Sequence, residues 1–145
     1  MKKLLLTLLL FSTLLYGSPE RLSEPQANVL YPHHYQVTIV SVYDGDTVTA
    51  DIRIGFGLIM HSQKLRLMGI NTPEVRGPEK PEGIITRDRL RELIDGKMLI
   101  MDSHGDSKGK YGRWLATLWL PQTDGTWINI NKWIVDNQLG EPATY

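Results

Sequence analysis

The sequence predicts an α+β domain in which five strands close into an OB-fold barrel and two helices complete the fold. Two runs with a period of two meet at Asp44-Gly45, a third strand and a helix follow, and two further strands come after that helix. Alternation of apolar and polar residues is typical of strands with one buried face. Five strands with a helix between the third and the fourth is the order expected of an OB-like barrel.

The first two strands are predicted to form a β-hairpin. Residues 37–42 alternate in character, and after Asp44-Gly45 the apolar residues again occupy every second position, at Val48, Ala50 and Ile52. An Asp-Gly pair between two such runs favours a hairpin turn. The third strand is predicted from Lys64 to Ile70. Before it, the segment Gly55 to Met60 predicts a bend or a wide loop at which the sheet folds over.

A helix and two more strands follow the third strand. The segment Gly83 to Asp95 places Leu90, Leu93 and Ile94 on one face and ends at Gly96, which is typical of a helix with a glycine stop. Arg87, Arg89 and Arg91 are interpreted first as the solvated face of this helix and second as a patch that follows phosphates. Lys97 to Asp102 and Arg113 to Leu120 predict strands on either side of a polar loop. A short last helix is predicted around Ile130, Trp133 and Ile134, before Gly140.

Length and composition fit one globular domain. The chain has 145 residues, of which 41% are hydrophobic and 22% are charged, enough for a single core and too few for two ordinary domains. There is no cysteine, so no disulfide contributes to stability. The 16 basic and 16 acidic residues balance, which excludes a global attraction to polyanions and requires any such contact to come from a local cluster.

The N-terminus has the layout of a secretory signal peptide. Lys2 and Lys3 precede an apolar run from Leu4 to Tyr16, which is shorter than a spanning helix requires, and small residues follow. We therefore expect a signal peptide at 1–17, a linker at 18–34 and a domain at 35–145. The expected product is secreted or periplasmic, monomeric and without stable membrane association; an uncleaved segment that anchors the protein is the alternative.

Polar residues at the predicted strand ends indicate phosphate chemistry. Asp46 follows the hairpin turn, and Asn71, Thr72 and Glu74 follow the third strand. Oxygen ligands suit a hard cation such as Ca²⁺, whereas the lack of cysteine, and of a histidine pair among these residues, argues against zinc. Two guanidinium groups, those of Arg66 and Arg113, would supply bidentate donors to phosphoryl oxygens beside a carboxylate base.

Three segments together resemble the signature of the staphylococcal nuclease (thermonuclease) family. They are Asp44-Gly45-Asp46-Thr47, the run from Arg66 to Glu74, and Lys110-Tyr111-Gly112-Arg113, in the family's order. The resemblance spans roughly Val37 to Leu139. It implies a calcium-dependent endonuclease that hydrolyses DNA and RNA and leaves 3′-phosphate ends.

The resemblance also implies a role for each matched residue. Asp46, with the Thr72 carbonyl and Asn71, would bind the metal. Glu74 would be the general base that activates the attacking water, and Arg66 and Arg113 would bind the scissile phosphate. Two further positions, Lys110 and Tyr111, would hold the nucleotide.

Two departures from the family pattern leave alternatives open. Asn71 stands where the best-known member has a second metal-binding aspartate, so the site loses one negative charge and another divalent cation could take the place of calcium. The segment Gly55 to Ser62 is longer and more apolar than the matching turn. The rival interpretation is a non-catalytic OB-fold module that binds nucleic acid or protein.

Overall fold

The computed structural model describes residues 33–144, without the side chains of 106 and 107. The predicted signal peptide and nearly all of the predicted linker lie outside the described residues. Within them, neither helix has the length and apolar character needed to span a bilayer. The strands are β1 His34–Val42, β2 Thr47–Gly55, β3 Leu58–Leu67, β4 Ile70–Asn71, β5 Met98–Lys108, β6 Trp114–Pro121, β7 Trp127–Asn129 and β8 Glu141–Pro142. The helices are α1 Lys80–Ile94, preceded by a 3-10 turn at Gly77–Glu79, and α2 Ile130–Asp136.

The main sheet closes into the predicted five-stranded barrel. The sheet has six strands in the order β3-β2-β1-β5-β6-β7, and β3 also pairs with β6, so β1, β2, β3, β5 and β6 form the closed ring and β7 pairs with β6 outside it. This closing contact is parallel and joins Leu65 to Trp114 and Leu67 to Ala116. Closure removes the free edges that an open sheet would expose. The predicted α+β fold with an OB-type barrel and two helices is therefore confirmed.

The barrel interior is filled by the alternating residues of the predicted strands. Val37 and Ile39 of β1 and Val48, Ala50 and Ile52 of β2 are all at most 3% exposed. Because successive side chains of a strand point to opposite faces, the same alternation places their polar neighbours outside. Leu90 and Ile94 of α1 are fully buried and cover one end of this core.

The structure corrects the predicted bend between the second and third strands. The β2–β3 ladder continues to the pair Gly55↔Leu58, and β3 begins at Leu58 rather than at Lys64. The two residues between them, Phe56 and Gly57, both have positive φ, at 52° and 77°. This is the geometry of a two-residue hairpin turn whose twist matches the flanking strands. The chain therefore forms an extended hairpin instead of a wide loop.

Other boundaries also differ from the predictions. Strand β5 continues to Lys108, through the predicted polar loop, by way of an irregularity in its pairing with β6 between Ser103 and Lys108. The third strand ends at Leu67, because Gly69 turns the chain at φ 75° and Ile70 starts the separate strand β4. The short strands β4, β7 and β8 were not predicted, since two or three residues carry no readable period.

Candidate active site

The three signature segments meet at one open pocket of about 870 Å³. Six of the eight predicted site residues line it: Asp46, Arg66, Asn71, Glu74, Tyr111 and Arg113. Thr72 lies behind this wall and lines a neighbouring depression together with Asn71. Lys110 does not line the pocket, although its amine lies 5.6 Å from the centre of the Tyr111 ring. The sheet register explains the convergence, because Thr47 pairs directly with Arg66.

A tight turn after β1 presents Asp46 to the pocket. The Tyr43 amide donates to the Thr47 carbonyl at 3.0 Å, and the Asp46 amide donates to Asp44 Oδ1 at 3.0 Å. Gly45 is required by space, since a Cβ there would lie 2.4 Å from Thr86 Cγ2 and 2.7 Å from Thr72 Oγ1. The turn is therefore packed between α1 and the chain that follows β4.

The Asp46 carboxylate is buried and held from several sides. Its Oδ2 accepts hydrogen bonds from the amide and from the hydroxyl of Thr72, each at 3.1 Å. Arg66 Nη1 lies 3.1 Å from the same oxygen, and the Thr47 hydroxyl donates to Oδ1 at 3.2 Å. Hydrogen bonds and an ion pair to a charged group fix its orientation strongly. Thr72 thus positions the Asp46 carboxylate through its amide and its hydroxyl, and the Thr72 carbonyl takes no part in these two hydrogen bonds.

Both arginines are anchored at the pocket wall. Arg66 is 8% exposed and also donates to the Leu67 carbonyl at 2.9 Å. Arg113 Nη1 donates to the Thr47 hydroxyl at 3.1 Å, and its guanidinium lies 5.3 Å from the centre of the Tyr111 ring. Thr47 therefore connects Asp46 to Arg113. Anchoring lowers the entropy that each guanidinium would lose on binding an anion.

Glu74 lies at the exposed mouth of the pocket and its backbone is fixed by α1. Its amide donates to Glu79 Oε2 at 3.0 Å. A Cβ on Gly83 would lie 2.2 Å from the Glu74 carbonyl oxygen, so the helix touches this backbone directly. Among the described residues, the Glu74 carboxylate itself makes no hydrogen bond or salt bridge. A carboxylate in contact with water and without a partner can accept a proton from a water molecule.

Asp44 is a further residue of the pocket, which the sequence predicts only as part of a turn. It is 7% exposed and lines the pocket. Burial raises the pKa of its carboxyl, and the negative charges of Asp46 and, more weakly, Glu74 raise this pKa further. The Asp-Gly-Asp spacing was the available signal, because it places two carboxylates on one tight turn.

The oxygen groups at this pocket fit a hard divalent cation. Asp44 and Asp46 repel each other across a buried turn, and a cation would remove that repulsion. Asn71 lines the same pocket and supplies an amide oxygen. In the described part of the chain, no three side chains from histidine, cysteine, aspartate and glutamate converge. Neutral oxygens would therefore complete the coordination, as calcium permits.

Further basic residues surround the pocket. They are Lys64, Arg76, Lys80, Arg87 and Arg91. Arg91 also donates from Nε and Nη2 to the Val42 carbonyl, at 3.1 and 2.9 Å, and so joins α1 to the end of β1. Arg87 and Arg91 belong to the pocket, whereas Arg89 is exposed and lies outside its lining. Their spacing of four residues was the signal in the sequence.

Comparison with known proteins agrees with this arrangement. The family model described as staphylococcal nuclease homologue matches residues 64–141. The chain is 31% identical over 85 residues to a thermonuclease of Staphylococcus hyicus. This match covers 57% of this chain and 47% of that protein. It is 26% identical over 120 residues to an uncharacterized protein of Methanocaldococcus jannaschii, over 68% of this chain and 55% of that protein.

The chain spans about half the length of the curated relatives it matches. The family match covers more than half of the present chain and includes Arg66, Asn71, Thr72, Glu74 and the segment from Lys110 to Arg113. This chain belongs to the staphylococcal nuclease homologue family.

Proposed function

We propose that this chain is a metal-dependent nuclease that hydrolyses phosphodiester bonds of DNA and RNA. One observation carries the proposal: Asp46, Arg66, Glu74 and Arg113 come from three separate segments and line a single open pocket. A module that only binds a ligand has no need of a carboxylate base next to two anchored guanidinium groups. The combination suits hydrolysis of a phosphate ester.

Arg66 and Arg113 are proposed to stabilise the charge that develops on the phosphoryl oxygens. Planar guanidinium groups donate pairs of parallel hydrogen bonds to phosphate. The anchors on Asp46, Leu67 and Thr47 hold both groups in place before the substrate arrives. Donors that are already oriented stabilise a transition state more than donors that must reorganise.

Glu74 is proposed as the general base. Its position at the mouth gives its carboxylate access to water, and the contact between its backbone and Gly83 fixes where the carboxylate can reach. It would accept a proton from the water that attacks phosphorus while the arginines hold the phosphoryl oxygens. A positioned base of this kind contributes roughly 10²- to 10⁴-fold to a rate.

Ca²⁺ is the proposed cofactor, and Asp46, Asn71 and the Thr72 carbonyl would hold it, with Asp44 close by. When bound, the ion would neutralise charge on the phosphoryl group as a Lewis acid. Asn71 contributes no charge, and for this reason we propose weaker calcium binding than an aspartate would give, or use of another divalent cation.

The nucleic-acid backbone is the proposed substrate feature that the pocket recognises. Its lining includes seven lysine and arginine side chains against three acidic ones, although the whole chain carries a formal charge of zero. Contacts with phosphates carry no sequence information, so we propose cleavage of both DNA and RNA with little sequence preference. The exposed ring of Tyr111, with Lys110 beside it, would contact the nucleotide.

The test is cleavage of single-stranded DNA and RNA oligonucleotides by the purified chain, with Ca²⁺ and with a chelator. Cleavage that requires the metal and leaves 3′-phosphate ends supports the proposal. A folded protein that binds both oligonucleotides but cuts neither, with any of Ca²⁺, Mg²⁺ or Mn²⁺, would instead establish the non-catalytic binding module.

A further inference from the structure

An exposed apolar hairpin tip projects from the barrel at the turn between β2 and β3. Four of its side chains are apolar and exposed: Ile54 at 44%, Phe56 at 104%, Leu58 at 59% and Ile59 at 39%. We call these four residues the apolar tip. Isolated exposed apolar residues are common, but a contiguous group marks a surface that contacts something else.

The backbone of the turn makes the exposure of Phe56 unusual. Phe56 has φ 52° and Gly57 has φ 77°, a pair of conformations usually occupied by Asn-Gly or Asp-Gly. A phenylalanine here carries the cost of a left-handed backbone and gains nothing from burial in the barrel. Neither hairpin formation nor core packing accounts for this residue, whereas an apolar environment outside the protein would.

The charges around the apolar tip indicate an anionic partner. From Ile52 to Gln63 there is no acidic residue, while Arg53, which pairs with Ile59 of the tip, is basic and exposed. The preceding acidic residue, Asp51, accepts hydrogen bonds from the Ser62 amide at 2.8 Å and interacts with the His61 ring at 2.9 Å. The tip itself is therefore apolar and cationic.

We propose that the apolar tip inserts into the headgroup region of a lipid bilayer that contains anionic lipids. Apolar side chains next to basic residues are the combination that binds such surfaces, and aromatic rings favour the interface between water and lipid. A two-residue turn on a hydrogen-bonded hairpin is narrow, so it can enter a fluid interface with little displacement of lipid. A second protein copy would need a matching cavity, and the described apolar pocket at the base of the hairpin holds only about 120 Å³.

The position of the tip leaves the catalytic pocket in water. Strand β2 has nine residues and runs from Thr47, at the pocket, to Gly55, at the turn. At about 3.3 Å per residue, the strand extends over roughly 25 Å between these two ends. A bilayer that holds the tip would therefore keep the protein near the surface while the pocket faces the medium. This inference does not depend on nuclease activity.

The test uses the complete chain with one introduced cysteine, which is unique because the natural sequence has none. An environment-sensitive dye is attached at Leu58→Cys and, as a control, at Thr123→Cys in the exposed β6–β7 turn. We expect a blue shift and quenching by lipid-attached quenchers for the tip dye with phosphatidylserine vesicles, and neither for the control dye. This readout is local, so it reports the tip whatever else attaches the chain to the vesicle.

Two variants sharpen the test. Phe56→Asp should abolish the tip signal without unfolding the protein, because the ring has no core contact. Arg53→Gln should raise the phosphatidylserine concentration that gives half of the tip signal about fivefold. The matched Arg89→Gln, at an exposed position of α1, should leave that concentration unchanged. A tip dye that stays in water with vesicles of phosphatidylserine as well as with vesicles of phosphatidylcholine would overturn the proposal. Equal insertion of the tip dye into pure phosphatidylcholine vesicles would also overturn it. So would a blue shift that needs no vesicles and grows with protein concentration, because the tip would then be an interface between copies of the chain.

Discussion

Replacement of Gly83 by alanine tests how α1 fixes the position of Glu74. The new Cβ would lie 2.2 Å from the Glu74 carbonyl oxygen, 2.4 Å from its carbonyl carbon and 2.8 Å from the Pro73 carbonyl oxygen. All three are backbone atoms, so no side chain can rotate away. Either the helix or the segment with Glu74 must move by about 1 Å to restore an ordinary contact distance.

Two effects on stability oppose each other in this variant. Alanine in place of glycine inside a helix stabilises it by about 1 kcal/mol. Overpacking a buried contact costs about 1–3 kcal/mol, and here the obstacle is rigid backbone, which favours the upper part of that range. We expect the free energy of unfolding to fall by about 1–2 kcal/mol in urea denaturation followed by circular dichroism.

The expected loss of activity is larger than the loss of stability. A displacement of about 1 Å at a catalytic group can cost about 10²-fold in rate, so cleavage of an oligonucleotide should slow by roughly that factor under conditions where the variant is fully folded. Ile85→Ala, on the exposed side of the same helix, is the control and should retain the wild-type rate. A Gly83→Ala protein with unchanged stability and unchanged rate would refute the contact between α1 and Glu74.

Three further predictions follow from buried or anchored groups. Leu90→Ala should lower the free energy of unfolding by about 3 kcal/mol, since Leu90 is fully buried. The control Leu58→Ala, at an exposed position, should lower it by less than about 0.5 kcal/mol. Equal losses for the two variants would contradict the assigned core. Thr72→Val should cost about 1.5 kcal/mol by removing the hydroxyl bond to Asp46, again measured by urea denaturation. Arg113→Lys should lower kcat/KM about 10²-fold, because lysine lacks the planar fork, whereas Arg89→Lys should not; an unchanged rate for Arg113→Lys would remove this residue from the catalytic group.

The barrel was predictable because its strands follow simple physical rules. The alternation around Val37 and Val48 directs one face inward, and closure follows from the number and order of strands. The hairpin turn at Phe56-Gly57 was not predictable from its residue types, since phenylalanine is a poor choice for positive φ. Its conformation depends on the β2–β3 ladder, which continues through Gly55↔Leu58.

The convergence of four predicted residues at one pocket was predictable for a different reason. Asp46, Arg66, Glu74 and Arg113 were identified by their grouping in three motifs, and the register of Thr47 with Arg66 brings two of these motifs together. The burial of Asp44 and the contact of Arg91 with the Val42 carbonyl depend on how α1 packs across the end of β1. Such packing between distant segments leaves no local pattern in the sequence.

The most direct test of the central claim is the cleavage rate of the Glu74→Gln variant. The control is Glu92→Gln, which removes the same charge from an exposed position of α1 outside the pocket lining. The substitution keeps the size of the side chain but removes the base. We predict a fall in kcat of roughly 10²- to 10⁴-fold for Glu74→Gln, with oligonucleotide binding retained, and a wild-type rate for Glu92→Gln. A Glu74→Gln protein that cuts as fast as the wild type would contradict the proposal that this pocket uses Glu74 to hydrolyse nucleic acid.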